Sequence, residues 1–269
     1  DLGISKIIYP KFKDLAHRYI KEVSPYKKSF VKERYIILAL LNESWSKDSI
    51  NKITPAVISK YRDKYLTKVS GSSVNRTLDV LSTIFTTCKK EWGYPIENPI
   101  LSIRRPKKAE PRDRRFNEDE LSKLIKGNKT SPLLRDIIQI ALETAMRQGE
   151  ILRVKREHIR DNTLFIPIAK TKPRTIPLTL KAISLLNNAE LPFNITGNAL
   201  SKQFKKLCDY YGIEDAHFHD LRKQSLTNFM LDKKLSVAET MMIAGHSDPR
   251  MLLRTYNNLK VEDVAKKLT

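Results

Sequence analysis

From Arg104 to Arg115 the chain carries seven basic residues, two acidic residues, two prolines and no apolar periodicity. Such a stretch does not enter a packed core, because buried charges need partners and proline removes a backbone donor. The flanking segments must therefore bury their own apolar surfaces, and at 269 residues there is length for two ordinary domains. We read 1–103 as a helical domain, 104–115 as a basic interdomain linker and 116–269 as a second domain. Taken alone, the linker is either an ordinary solvated connection or one that lies along a polyanionic backbone.

The first segment has helical spacing throughout. Phe12, Leu15, Ala16, Tyr19 and Ile20 recur on one face, as do Phe30, Tyr35, Ile36, Leu38 and Leu41. Thr54-Pro55 is a helix start with proline in the first turn. After Gly71-Ser72-Ser73, the residues Val74, Leu78, Leu81, Ile84, Phe85 and Cys88 mark a long helix that stops near Gly93, and Asn98-Pro99 closes the segment. The pattern predicts a compact four-helix unit.

The second segment is α-rich with one β signal. Asn117 with Glu120 forms a capping box, and Leu133, Leu134, Ile137, Ile138, Ala141 and Leu142 predict an amphipathic helix running to Gly149. Residues 163–168 and 175–178 read as two short strands joined by the polar turn 169–174, each holding a proline that suits a sheet edge. Helices return from Leu180. Ser236 with Glu239 makes a further capping box, Asp248-Pro249 starts the helix that carries Tyr256, and Val261, Val264 and Leu268 form a small apolar stripe beyond it.

Fifty Lys and Arg against thirty Asp and Glu give a formal net charge of +20, which draws the protein to a polyanion. Nucleic acid ranks before a membrane surface, since no apolar run approaches the length of a membrane span and no signal peptide is evident. Cys88 and Cys208 lie far apart, each within an apolar helical pattern, so a disulfide scaffold or a CxxC metal site is excluded. They read as small core residues in a reducing cytoplasm.

Three short stretches carry the chemistry: Thr144-Ala145-Met146-Arg147-Gln148-Gly149-Glu150, then His219-Asp220-Leu221-Arg222, then Gly245-His246-Ser247-Asp248 followed by Arg254-Thr255-Tyr256. They supply two guanidiniums, two imidazoles and a phenol. A phosphodiester in displacement gathers negative charge on its nonbridging oxygens, and arginine's planar fork meets it with paired hydrogen bonds. Singly, each piece has a plainer reading. Arg147 reads as an arginine at a helix C-terminus, His219 as a half-buried histidine, and His246 as a cap or core residue; Tyr256 alone is one of ten tyrosines. Their order and spacing are the signal.

In that order the chain resembles the tyrosine recombinase (phage integrase) family, whether Xer-like or a mobile-element integrase. Ala145 to Glu150 looks like its first-arginine box, His219 to Arg222 its second, and Gly245 through Tyr256 its third; Lys170 fits the lysine on the hairpin turn, with Lys172 as the lesser candidate. The resemblance implies a mainly α DNA breaking-rejoining fold, with an N-terminal helical core-binding domain and an α-rich catalytic domain that holds a small antiparallel β-sheet. It further implies that Tyr256 attacks the scissile phosphate, Arg147 and Arg222 clamp its oxygens, Lys170 is the general acid, His219 assists acid/base transfer, His246 binds the phosphate, and Glu150 orients the first box. No metal and no ATP are expected. The expected partners are duplex DNA with inverted half-sites, further protomers forming a dimer and then a tetrameric synapse, and accessory DNA-bending or activating proteins; the expected location is the cytoplasm, at the nucleoid. Arg104, Arg105, Lys107, Lys108, Arg112, Arg114, Arg115, Lys172 and Arg174 are candidate DNA contacts. Lys223-Gln224 after the second arginine departs from the usual family pattern, as does a His246-to-Tyr256 spacing one residue longer than in many members. No extra N-terminal arm-binding domain is seen, which points to a recombinase of short core sites. The tail stripe packs on its own domain or on a neighbouring protomer. Alternatives are a type IB topoisomerase-like or telomere-resolvase enzyme, or a catalytically silent regulator of the same fold.

Overall fold

The structure, a computed structural model, describes residues 8–107, 112, 114–168, 172–246, 248–250 and 252. The chain divides into two units, Asp1–Pro111 and Arg112–Thr269. That division falls inside the basic stretch.

The first unit contains α1 (Phe12–Glu22), α2 (Phe30–Leu40), α3 (Pro55–Leu66) and α4 (Gly71–Lys90). Local chemistry sets the starts of the last two. The Thr54 hydroxyl accepts from Val57 N with Pro55 in the first turn, and the Ser70 hydroxyl accepts from Ser73 N. Leu15 and Tyr19 of α1, Ile37 and Leu40 of α2, Ile58 of α3, and Leu78, Leu81, Ile84 and Phe85 of α4 form the core. Phe12 stacks on Phe85 and meets Trp45 at a tilt, with ring centroids 6.1 and 5.2 Å away. Asn98 closes the unit, its Nδ2 donating to Ser82 O, Ser82 Oγ and Thr86 Oγ1.

The face of α2 differs from the one its apolar spacing predicts. Ile37 and Leu40 are buried with Glu33, while Tyr35 is 69% exposed and Leu38 also reaches the surface. The Glu33 carboxylate accepts from Ser24 Oγ (2.6 Å), Lys27 Nζ (2.9 Å) and Tyr19 Oη (3.4 Å). A fully satisfied carboxylate fixes the helix rotation, because turning it would strip these donors from a buried charge.

The second unit contains α5 (Glu118–Lys126), α6 (Pro132–Thr144), α7 (Gln148–Ile151), β1 (Ile159–Arg160), β2 (Thr163–Ile166), β3 (Arg174–Pro177), α8 (Leu180–Asn188), α9 (Gly197–Tyr210), α10 (Phe218–Leu231) and α11 (Val237–Ala244). Pro249, Arg250 and Leu252 are again helical. The Asn117–Glu120 and Ser236–Glu239 capping boxes both form. The sheet is antiparallel in the order β1-β2-β3, with Leu164 opposite Ile159 on one side and Ile176 on the other. β1 is an addition to the two expected strands; it follows from the tight turn at Asp161, whose φ is 48°. Pro167 falls just beyond β2 and Pro177 ends β3, so neither interrupts the central ladder.

Ile137, Ile138, Ile140 and Ala141 of α6 pack with Phe204 and Leu207 of α9, Leu221 of α10, and Leu164 and Ile176 of the sheet. A smaller cluster joins Ala145, Leu226, Phe229, Met230, Ile243, Ala244 and Leu252. Cys88 and Cys208 are buried free thiols, one in each unit, and burial pushes them up to about 12 and about 11. Among the described residues no helix is long and apolar enough to cross a membrane.

Candidate active site

The predicted helix to Gly149 is interrupted. α6 ends at Thr144, where Ala145 adopts the left-handed conformation (φ 49°, ψ 21°). Arg147 is then the extended residue that starts α7, and Glu150 sits in its first turn. Glu150 accepts from Arg147 N (2.9 Å) and from Arg147 Nη1 (3.0 Å). Arg174, the first residue of β3, donates Nη1 and Nη2 to the two oxygens of the same carboxylate at 3.0 and 2.9 Å. Glu150 is only 6% exposed. Its burial would raise its pKa, but Arg174 and the Arg147 backbone and guanidinium outweigh that and hold it at about 2.

Arg222, one turn into α10, is 4% exposed. Its Nη1 donates to Ala145 O, and its Nη2 to Ala244 O at 2.7 Å. These are carbonyls at the C-terminal ends of α6 and α11, where free lone pairs and the negative dipole end favour a cation. Both ends exist because Ala145 and Gly245 turn left-handed there. Burial first, then the charge of Arg147, pushes the Arg222 pKa down to about 9, which leaves the guanidinium charged at neutral pH.

His246 follows directly. Its Nε2 lies 3.1 Å from Arg222 Nη2, a nitrogen that can only donate. The neutral ring therefore carries its proton on Nδ1, a buried atom with no partner among the described residues. Burial, then Arg222, Arg147 and Arg174, push His246 down to about 4, so the ring is neutral across the physiological range. His219, in the first turn of α10, stays exposed. Partial desolvation, then Arg222 and Lys223, lower its pKa as well. Lys172, Arg174 and His246 are among the residues that line an open groove of about 590 Å³.

The basic linker residues have separate fates. Arg105 pairs with Asp79 (2.6 Å), and Arg104 and Lys107 are exposed in the first unit. Arg112 and Arg114 belong to the second. Arg112 bonds Asp215, His217 and Asp220 (3.1 Å to the last), and Arg114 bonds Glu120 and the Glu214 and Arg115 carbonyls. Arg115 is partly buried nearby. Lys223 donates to Arg112 O at 2.9 Å, and Gln224 Oε1 accepts from Phe116 N at 3.1 Å. The two residues that depart from the family pattern thus hold the start of the second unit onto α10. Lys108, Lys170 and Tyr256 lie outside the described residues, as do Val261, Val264 and Leu268.

The structure brings Arg147, Glu150, Arg222 and His246 into one charged neighbourhood, with His219 at its edge. Arg174 joins them as a partner of Glu150, a link the sequence does not signal because the two lie 24 positions apart. No group of three or more metal-capable side chains gathers among the described residues. What remains is a cluster of fixed cations and neutral donors suited to an anion.

Fold and site together define a helix-rich, two-unit protein whose second unit holds a cluster of fixed cations suited to an anionic ligand. The sequence pattern of the phage integrase family matches residues 194–263. The shufflon-specific DNA recombinase of Escherichia coli is 33% identical over 270 residues, covering 93% of this chain and 70% of that protein. Solved integrase structures share the fold, among them two of lambda integrase. A lambda integrase dimer bound to a COC′ core site has a TM-score of 0.80 at 20% identity, covering 92% of this chain and 77% of that one. A lambda integrase tetramer bound to a Holliday junction has a TM-score of 0.77 at 22% identity, covering 88% and 77%. The chain belongs to the phage integrase family of tyrosine recombinases.

Proposed function

We propose that the chain is a site-specific DNA recombinase that cleaves and rejoins duplex DNA through a 3′-phosphotyrosyl intermediate, in integration and excision or in dimer resolution. Tyr256 attacks the scissile phosphorus, and its phenol proton passes to His219. The bond from phosphorus to the 5′-oxygen breaks, and Lys170 supplies the proton that this oxygen needs. Arg147 and Arg222 hold the nonbridging oxygens as charge gathers there, and His246 hydrogen-bonds the phosphate. The phosphotyrosyl bond conserves the energy of the bond it replaces, so religation needs neither ATP nor a metal.

One observation carries this reading. Arg222 is held between two helix C-termini, beside a neutral His246 whose Nδ1 has no partner among the described residues. Helices fix the cation, so it need not reorganise when the phosphate arrives. The reading extends to partners and place: two protomers on inverted half-sites, two such dimers in a synapse with accessory proteins, acting in the cytoplasm on nucleoid DNA. A pool of nicked suicide duplexes with randomised half-sites tests the activity. The wild type should become covalently trapped and Tyr256→Phe should not; equal trapping of both, or of neither, contradicts the proposal.

A further inference from the structure

Not every basic side chain of this chain is turned to solvent, and Arg174 is the sharpest case. Its Nη1 and Nη2 are taken by the two Glu150 oxygens, and its Nε points to Ile243 O at 3.3 Å. Its side chain is 11% exposed. A guanidinium whose fork is taken by both oxygens of one buried carboxylate has its charge matched inside the protein and offers little to a phosphate. It does connect three segments: β3, the start of α7, and the end of α11 just before His246. The connection depends on Gly245, where an added Cβ would lie 2.8–2.9 Å from the Arg174 side chain.

Glu150 needs this partner. A buried carboxylate facing Arg147 alone would draw that guanidinium inward to satisfy both of its oxygens. With Arg174 supplying a bidentate bond, Glu150 makes one bond to the Arg147 backbone and one to Nη1, and the other side-chain nitrogens of Arg147 have no hydrogen-bond partner among the described residues. Building on the recombinase reading, we propose that Arg174 is a positioning residue: it holds Glu150 so that Glu150 can aim Arg147, and it does not itself contact DNA.

Arg174→Gln and Arg174→Lys test this against direct phosphate contact, with thermal melts as a check on folding. On the trapped duplex, Arg174→Gln should cleave bound DNA about 100-fold more slowly, the usual scale for a misplaced reacting group. The salt slope of duplex binding should stay that of the wild type. Followed by carbon NMR, the Glu150 carboxyl should stay ionised to the acid limit of the fold in the wild type and titrate in the ordinary range or above in Arg174→Gln. Arg174→Lys, which keeps charge but loses the fork, should fall between the two, and it carries the test if Arg174→Gln does not fold. A salt slope smaller by about one phosphate contact with unchanged cleavage of bound DNA overturns the proposal, as does an unmoved Glu150. A wild type that forms no adduct overturns the recombinase reading instead, and the titration and salt slope then decide Arg174 on their own.

Discussion

Glu150 ties the stability of the second unit to pH in a fixed direction. Its folded pKa, about 2, lies below its unfolded value. The stability it contributes is therefore complete above the unfolded pKa and is lost as pH falls through the folded one. The span corresponds to about 3 kcal/mol. Urea melts between pH 5 and pH 2 should show that loss in the wild type and much less of it in Glu150→Gln; identical slopes would deny the pairing. His246 acts in a higher window. Its neutral form is favoured by folding, so stability is lost as pH falls from the ordinary histidine range toward about 4. Its ring resonance should titrate near 4 by proton NMR, and a midpoint near 6.5 would contradict the burial beside Arg222.

At the scale of elements, the site is made by helix ends rather than helix faces. Gly245 closes α11 in a left-handed turn (φ 64°) and leaves room for Arg174. Gly245→Ala should cost more than about 1 kcal/mol in unfolding free energy from the backbone alone and should also slow cleavage, since the methyl displaces Arg174. Leu252 is fully buried in the cluster with Ala145 and Ala244, so Leu252→Ala should lower stability by about 2–5 kcal/mol in denaturant melts. The elements legible in sequence were those decided within a few residues: the capping boxes at Asn117 and Ser236, the proline start at Thr54, and the long apolar face of α4. The strings that hold Arg147, Arg222 and His246 could be picked out for the same reason, because each is short and contiguous; their neighbourhood with one another shows only in the fold. What escaped was decided at a distance. Glu33 rotates α2 through donors on α1 and the turn after it, Ala145 stops α6 to expose a carbonyl to Arg222, and Arg174 finds its carboxylate in another segment.

For the whole molecule, the charge of +20 must be apportioned before it is credited to DNA. Arg112, Arg114 and Arg174 face inward onto carboxylates, whereas Arg104, Lys107 and Lys172 are exposed. Substituting Lys172 by Ala should lower the salt slope of duplex binding by about one contact, and substituting Arg112 by Ala should lower melting temperature instead; the reverse pattern would reassign both. The proposed reaction turns on a covalent bond between one tyrosine and DNA. Mass spectrometry of tryptic peptides from the trapped wild-type adduct measures that bond directly. Cleavage by Tyr256 requires a single nucleotide-bearing peptide with the modification on Tyr256; a modification on any other residue, or an adduct that persists in Tyr256→Phe, overturns it.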